Sequence, residues 1–281
     1  MNMPMLSIIT TCKGRLAHLQ QSLPRMVGNS DTEVIVVDYD CPDRARDWVA
    51  AEYPEVRVVR VSNAPTFNIS HARNLGAQAA RGQWLGFVDA DILLSQGFME
   101  QALPLLRGGA FYLSALRDPQ VVGTVFCART DHVASEGYDE VLQGWGAEDR
   151  DFYTRLGMLG RAQQRLAGER LRVIQHGSDD RVRHYEIKDR WLNQRIGALY
   201  SQIKHDVARQ LGKLNLPREL RQTIYDEVRR TLCHAAEANQ KNARVEITLP
   251  PDLTVRLFGC RLQRVWTYTL EMLPDQPLRE P

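Results

Sequence analysis

Short apolar runs rich in β-branched residues alternate with helical patterns along residues 6–91. The runs are Leu6–Thr11, Glu33–Asp38, Val56–Val61 and Trp84–Val88. Continuous apolar strands separated by helices are typical of a mostly parallel sheet that is buried on both faces. We therefore expect an α/β half-domain of the nucleotide-binding type. Neither a G-x-G-x-x-G sequence nor a Walker loop follows the first run, which argues against a dehydrogenase or a P-loop NTPase.

Composition excludes several other classes of protein. The chain has 281 residues with a formal net charge of +2, so it has room for one large domain and a modest appendage and gives no case for nucleic-acid binding. Its five cysteines are scattered and lack metal-ligand spacing, which favours a reducing compartment over a disulfide framework. Because we find neither a membrane-spanning apolar run nor a secretory signal, we expect a cytoplasmic protein. Peripheral contact with the inner membrane is left open.

The pattern changes after Asp91. We predict helices over residues 96–106 and 148–159, and strands over residues 110–115, 121–128 and 171–176. From Asp189 onward, apolar residues first recur at helical spacing in two stretches and then alternate with polar residues in three runs. We therefore predict a domain over residues 1–188, and a helical hairpin with a small antiparallel meander over residues 189–281.

Two acidic stretches are the best candidates for chemistry. Asp89 and Asp91 end the fourth apolar run, and ligands bind at the carboxyl ends of strands in open α/β sheets. Two carboxylates there can hold a divalent cation, and the cation can hold a diphosphate. Glu148 and Asp149 open a predicted helix and can supply a general base. Taken singly, each acidic stretch also fits a simpler role, as a helix N-cap or as a favourable charge at a helix N-terminus.

Several segments, in this order, resemble inverting GT-A glycosyltransferases, the large bacterial group that uses nucleotide-diphosphate sugars. They are Ser7-Ile-Ile-Thr-Thr11, Glu33-Val-Ile-Val-Val-Asp38, Ser70-His-Ala-Arg73-Asn74-Leu-Gly76-Ala77 and Phe87-Val-Asp89-Ala-Asp91. Gly144-Trp-Gly-Ala-Glu-Asp149 is similar to the Gly-Trp-Gly-Gly-Glu-Asp motif of β-1,4-galactosyltransferases and chondroitin-polymerase-like enzymes. Val173-Ile-Gln-His176 is similar to a later motif of the same enzymes. The resemblance implies a Rossmann-like GT-A domain for nucleotide-diphospho-sugar transfer.

The resemblance also implies how the donor, a UDP-sugar, is bound. Thr10, Thr11 and Asp38 would line the base and ribose pocket. Arg15 and Arg73 are candidates for the diphosphate, because a guanidinium fork suits anionic oxygens.

The same resemblance implies a metal site and an acceptor site. Asp91 and His176 would bind the metal, with Asp89 near the ribose or the cation. A mixed carboxylate and imidazole set favours Mn²⁺ over Mg²⁺. On the acceptor side, Trp145 would stack on the sugar, Glu148 would hydrogen-bond it and Asp149 would be the catalytic base. Attack on the side opposite the nucleotide would invert the anomeric carbon.

The sequence therefore predicts a metal-dependent inverting hexosyl- or N-acetylhexosaminyltransferase. The expected acceptor is a glycan or a lipid-linked sugar in surface polysaccharide or glycoconjugate synthesis. One alternative is a non-catalytic glycosyltransferase-like scaffold of a polysaccharide assembly complex. Another is a sugar nucleotidyltransferase, although the Gly-rich pyrophosphate loop of that class is missing after the first strand. The C-terminal region is expected to be accessory or to form a homo-oligomer.

Overall fold

The computed structural model describes residues 4–114, 121–166, 171–175, 177–250, 255–258 and 260–271. These residues divide into two compact units. The larger lies within residues 1–143 and 148–188, and the smaller within residues 144–147 and 189–281. The predicted metal ligand His176 lies outside the described residues.

The first half of the larger unit alternates strands and helices, as its hydrophobic pattern predicts. In chain order the elements are β1 (Leu6–Cys12), α1 (Leu16–Ser22), β2 (Thr32–Tyr39), α2 (Ala45–Glu52), β3 (Arg57–Val61), α3 (Ile69–Ala79) and β4 (Trp84–Phe87). The strands pair in parallel in the order β3-β2-β1-β4. Helix α1 ends at Ser22 because a 3₁₀ turn containing Pro24 follows it, and proline cannot supply the N–H that an α-helix interior needs.

The second half of this unit completes the sheet with antiparallel pairing. Its elements are β5 (Ile92–Leu94), α4 (Phe98–Ala102), β6 (Ala110–Ser114), β7 (Val125–Ala128), α5 (Arg129–Ala134), α6 (Glu148–Met158), β8 (Ala162–Leu166), β9 (Leu171–Val173) and α7 (Ser178–Val182). β7 runs antiparallel to both β4 and β6, and β8 runs parallel to β6, which gives a seven-stranded sheet in the order β3-β2-β1-β4-β7-β6-β8. The prediction of a mostly parallel α/β sheet is confirmed. β7 begins later and β9 ends earlier than predicted.

Both faces of the sheet are buried, which explains why its central strands are apolar throughout. All residues of β1 are buried. Leu6 and Ile8 belong to the core on one face, and Ile9 belongs to the core on the other. Helix α3 packs so closely on this second face that a Cβ on Gly76 would lie 2.4 Å from Ile9 Cγ2. This packing fixes α3, and with it Arg73, relative to the strand ends.

The smaller unit contains a helical hairpin and short antiparallel strands. Its elements are α8 (Arg190–Gln210), α9 (Arg218–Glu237), β10 (Asn242–Thr248), β11 (Val255–Leu257), β12 (Cys260–Leu262) and β13 (Val265–Glu271). The Asp189 carboxylate caps α8 by accepting from the backbone N–H groups of Trp191 and Leu192, and the rings of Tyr200 and Tyr225 join the helices at 5.4 Å. No helix in the described part of the chain is apolar enough over a sufficient length to cross a bilayer.

The strand order of the smaller unit differs from the predicted meander. β10 pairs with β13 and β11 pairs with β12, both antiparallel. In sequence, the β11–β12 pair therefore lies between the two strands of the β10–β13 pair. Alternation of apolar and polar residues indicates a strand with one buried face but does not identify its partner. The separate β12 was not predicted. Residues 251–254, which include the start of the second predicted run, lie outside the described residues.

Candidate active site

Arg73 joins the two acidic stretches of the sequence. It lies on α3, is 1% exposed, and donates from Nη2 to Asp89 Oδ1 at 2.9 Å and from Nη1 to Asp149 Oδ1 at 2.7 Å. Its guanidinium also lies 4.9 Å from the centre of the buried Tyr138 ring. Burial alone would lower the pKa of Arg73, but the carboxylates of Asp149 and Asp89 hold the pKa above its ordinary value. Arg73 is therefore a fixed cation that links the end of β4 to the start of α6.

A buried carboxyl group, Glu148, and a partly buried one, Asp149, lie side by side at the N-terminus of α6. Burial, followed by the neighbouring Asp149, raises the pKa of Glu148 to about 8. Burial also raises the pKa of Asp149, although the ion pair with Arg73 and a hydrogen bond from Glu148 act in the opposite direction. The nearest approach of Glu148 to Arg73 is longer, at 3.7 Å between Oε1 and Nη1. Near neutral pH, Glu148 therefore favours its protonated form, whereas the ion pair with Arg73 favours the ionised form of Asp149.

One oxygen of Glu148 lacks a hydrogen-bond partner among the described residues. This oxygen is Oε2, which is buried. An unpaired buried carboxyl oxygen is costly, typically by about 1–3 kcal/mol. A hydroxyl group placed beside Glu148 and Asp149 would remove that cost.

A glycine allows Asp89 and Arg73 to meet. A Cβ on Gly123 would lie 2.5 Å from Asp89 Oδ2 and 2.8 Å from Arg73 Nη2. Gly123 lies just before β7, in a position where any larger residue would displace the ion pair. The sequence offered no motif that marked Gly123 or Tyr138 as parts of the site.

Asp91 occupies the turn that follows β4. Its backbone carbonyl accepts from the Ile174 N–H at 2.8 Å, which ties this turn to the segment after β9. Within the described residues, no three His, Cys, Asp or Glu side chains group closely enough to form a metal site by themselves. Mn²⁺ and Mg²⁺ are often held by one or two carboxylates and completed by phosphate oxygens and water, so Asp91 fits a cation that binds with a diphosphate.

The residues predicted to bind the nucleotide lie at the carboxyl ends of β1 and β2. Thr10 and Thr11 are buried, and the Thr10 hydroxyl has no partner among the described residues. Asp38 accepts from the N–H groups of Cys41 and Arg46, so its carboxylate shapes the loop after β2. Arg15 lies in the loop after β1 and donates from Nη2 to the Asp180 carbonyl at 3.0 Å. The structure thus brings Thr10, Thr11 and Asp38 to one edge of the sheet.

Lys13 organises this edge, and sequence reasoning gave it no role. It is 6% exposed and its Nζ donates to the carbonyls of Tyr39, Asp40 and Ala64 at 3.2, 3.1 and 2.7 Å. It thereby joins the segment after β1 to the ends of β2 and β3. Its place directly after a buried strand was the available signal, because a lysine is rarely fully buried without partners.

Trp145 and its neighbours belong to the smaller unit. The Arg190 guanidinium lies 4.6 Å from the centre of the Trp145 ring, and the Trp145 N–H donates to Asn193 Oδ1 at 3.3 Å. Gly146 and Ala147 both have positive φ angles, +89° and +74°. Ala147 occupies a glycine position of the similar motif, and the backbone keeps the left-handed conformation that favours glycine there.

Comparisons with known proteins agree with this architecture. The sequence model of glycosyl transferase family 2 matches residues 7–161. The uncharacterized glycosyltransferase EpsJ of Bacillus subtilis (strain 168) is 31% identical over 104 residues, which are 35% of this chain and 29% of that protein. The match thus spans less than a third of that relative's length.

Solved structures show the same fold. The Pyrobaculum calidifontis mannosyltransferase PcManGT, in complex with GDP-Man and Mn²⁺, has a TM-score of 0.54 at 16% identity, covering 84% of this chain and 76% of that one. S. aureus TarS 1-349 in complex with UDP has a TM-score of 0.54 at 13% identity, covering 84% and 92%. At these identities the likeness establishes the GT-A fold. Since the family match covers more than half of the sequence, this chain belongs to glycosyl transferase family 2.

Proposed function

We propose that this protein is an inverting glycosyltransferase that moves a sugar from a UDP-sugar to a hydroxyl group of a glycan acceptor, with Asp149 as the general base. The observation that carries the proposal is the Arg73 bridge. It joins the strand-end carboxylate Asp89 to Asp149 through hydrogen bonds of 2.9 and 2.7 Å. An inverting glycosyltransferase needs a donor site and a general base close together. The Arg73 bridge supports this, because it joins the strand end of the proposed donor site to the proposed base.

Asp149 has the properties of a general base. Burial raises the pKa of its carboxyl group, which makes the carboxylate a stronger base than an exposed aspartate. Arg73 donates to only one of its oxygens in the described contacts, at Oδ1. Arg73 favours the ionised form of Asp149, and the acceptor proton would pass to the Asp149 carboxylate as the hydroxyl oxygen attacks the anomeric carbon.

Glu148 would orient the acceptor. It is buried, its pKa is raised to about 8, and its Oε2 atom has no partner among the described residues. A protonated carboxyl can both donate to and accept from a sugar hydroxyl. Glu148 would thus hold the acceptor beside Asp149 without adding a second negative charge that would repel the donor diphosphate.

The donor would lie on the edge formed by the ends of β1, β2 and β4. Thr10, Thr11 and Asp38 would bind the uridine and ribose, and Arg15 the diphosphate. UDP is the nucleotide in the TarS complexes, whereas PcManGT carries GDP-Man, so the choice of UDP is part of the proposal. A Mn²⁺ or Mg²⁺ ion held by Asp91, and by His176 as the resemblance implies, would supply positive charge to the departing diphosphate.

The remaining roles extend the same proposal. Trp145 would be the stacking platform for an acceptor sugar, as the resemblance implies. The acceptor would belong to surface polysaccharide or glycoconjugate synthesis, at the cytoplasmic side of a membrane. The smaller unit would be an accessory or oligomerisation region.

The test is sugar transfer by wild type and by Asp149→Asn. We expect UDP release from one or more of a panel of UDP-sugars with Mn²⁺, and a kcat lower by about 10²- to 10⁴-fold in the variant with a nearly unchanged KM for the donor. Asp151→Asn is a matched control, since Asp151 lies on the same helix and pairs with the buried Arg155 at 2.9 Å. The control should keep its activity per folded molecule. Transfer that survives in Asp149→Asn would contradict the assignment of the base, and UDP binding without turnover on any donor would favour a scaffold.

A further inference from the structure

Two cysteines lie in contact at the proposed donor edge. Cys12 is the last residue of β1 and is fully buried, and Cys41 lies in the loop after β2 and is half-buried. Their Sγ atoms are 3.7 Å apart. The Gly14 N–H donates to Cys41 Sγ at 3.2 Å. The contact therefore joins the loop that leads to Arg15 with the loop that Asp38 shapes.

We propose that Cys12 and Cys41 form a reversible disulfide when a peroxide is present, and that this disulfide lowers affinity for the nucleotide donor. The second half of the inference rests on the proposed function. The first half rests on the geometry of the two thiols and on the chemistry of Cys41.

Cys41 is the thiol that would react first. The Cys12 thiol, followed by the backbone N–H groups of Gly14, Asp43 and Ala45, lowers the pKa of Cys41 to about 6, against the opposing effect of burial. The hydrogen bond to Cys41, and then burial, raise the pKa of Cys12. Because the thiolate is the nucleophile, the half-buried Cys41 would attack the peroxide and the buried Cys12 would resolve the product.

The reaction balances with one peroxide. The Cys41 thiolate attacks one oxygen of hydrogen peroxide, and with a proton from solvent the products are a sulfenic acid and water. The Cys12 sulfur then attacks the Cys41 sulfur, the S–O bond breaks, and the hydroxyl leaves as a second water with the Cys12 proton. The two sulfurs lose two electrons in total, and the peroxide gains them.

Bond formation would move the donor edge. The sulfurs must close from 3.7 Å to a bond length of about 2.05 Å. Cys12 is fully buried and is held at the end of β1 by its parallel pairing with Asp38 of β2, so most of the displacement falls on the loop of Cys41. The same loop accepts the Gly14 N–H and supplies the Asp40 carbonyl to Lys13. Displacement of about 1 Å at a binding site can reduce function by up to about 100-fold.

The experiment treats the full chain with hydrogen peroxide, blocks remaining thiols with a maleimide, and maps the peptides by mass spectrometry. We expect a peptide pair joined through Cys12 and Cys41, loss of two maleimide adducts, and recovery of both with dithiothreitol. Cys12→Ala should leave a sulfenic acid at Cys41 without the cross-link. Cys260→Ser is the control, since Cys260 is exposed and should not affect the reaction.

UDP binding with Mn²⁺, measured by calorimetry on the same samples, tests the effect on the donor. The oxidised wild type should bind UDP about tenfold more weakly or worse, whereas Cys12→Ala should bind it equally before and after mild oxidation. Oxidation confined to other cysteines, or a cross-link without loss of UDP affinity, would overturn the inference. If the reduced protein fails to bind UDP, the proposed function fails instead, and the peptide map still reports on the disulfide.

Discussion

Replacing Arg73 with methionine is the most direct perturbation of the site. Methionine keeps much of the buried stem of arginine but removes the guanidinium. Asp89 and Asp149 would then lose the cation to which they bond at 2.9 and 2.7 Å, and they are only 29% and 14% exposed in their side chains. Both carboxylates would stay at the carboxyl edge of the sheet without a counter-charge.

The structure sets the size of the effect. Each of the two charge-assisted hydrogen bonds contributes about 1.5–3 kcal/mol. Removing one partner of a buried ion pair costs about 3–5 kcal/mol, because the other partner remains desolvated. Glu148 adds little to the repulsion near neutral pH, since its pKa is raised to about 8 and its carboxyl group is protonated. We expect Arg73→Met to lower the free energy of unfolding by about 3–5 kcal/mol at about pH 7.

The effect should depend on pH with a definite sign. Without Arg73, the pKa of Asp149 in the folded protein rises further above its value in the unfolded chain. A carboxyl group with a raised folded pKa loses its contribution to stability as pH increases, so the deficit of the variant should shrink as pH falls towards about pH 5.

Urea unfolding followed by tryptophan fluorescence measures this deficit. Arg44→Met is the control, because the side chain of Arg44 is 81% exposed in its ion pair with Asp47, and such pairs contribute about 0–1 kcal/mol. The double variant Arg73→Met/Asp149→Asn should recover part of the loss, since the unpaired charge is removed with its partner. A loss below about 1 kcal/mol for Arg73→Met, or no recovery in the double variant, would refute the view that this guanidinium neutralises a buried acidic centre.

Three further substitutions test separate parts of the site. Burial raises the folded pKa of Glu148 to about 8, so the wild type loses stability as pH rises from about 4.5 to 8. Glu148→Gln should remove this loss, and in urea unfolding it should gain up to about 1.4 kcal/mol per pH unit relative to wild type. An equal dependence of the unfolding free energy on pH in both proteins would contradict this prediction. Gly123→Ala should lower the free energy of unfolding by about 1–3 kcal/mol and reduce sugar transfer, because its Cβ would lie 2.5 Å from Asp89 Oδ2. Gly108→Ala is the control, since a Cβ there would have nothing within 4 Å, and it should change neither stability nor transfer rate. Ala147→Gly should stabilise the protein by up to about 1 kcal/mol in thermal unfolding, since Ala147 has a φ of +74°, and destabilisation would indicate an unstrained alanine.

The sequence predicted secondary structure best where burial alone determines the pattern of apolar residues. A strand buried on both faces must be apolar along its whole length, so β1, β2 and β4 could be recognised with boundaries within about two residues. The helices of the smaller unit could be recognised equally well, because each buries one stripe of apolar residues at helical spacing. Strand pairing in that unit was wrong, since alternation fixes which face is buried and leaves the partner open.

The acidic stretches of the site could be found, but their connection could not. Asp89 follows an apolar run and Asp149 opens a helix, and both positions can be read locally. Arg73 lies on a third element, and its partners are 16 and 76 residues away in sequence. From the resemblance we predicted that Arg73 binds the diphosphate. In the structure its guanidinium is directed at the two carboxylates, and binding of the diphosphate by Arg73 stays a prediction.

This arrangement explains why the acidic residues occur on separate segments. Three carboxyl groups placed together on one loop would repel one another, and each would shift its pKa until some became protonated. Here the sheet edge supplies Asp89, the start of α6 supplies Glu148 and Asp149, and α3 supplies a single cation between them. Because one cation cannot neutralise all three, burial favours the protonated form of Glu148, the most buried carboxyl group, while Arg73 favours the ionised form of Asp149. The difference between the two neighbours, which the proposed base and acceptor-binding acid require, follows from where α3 places Arg73.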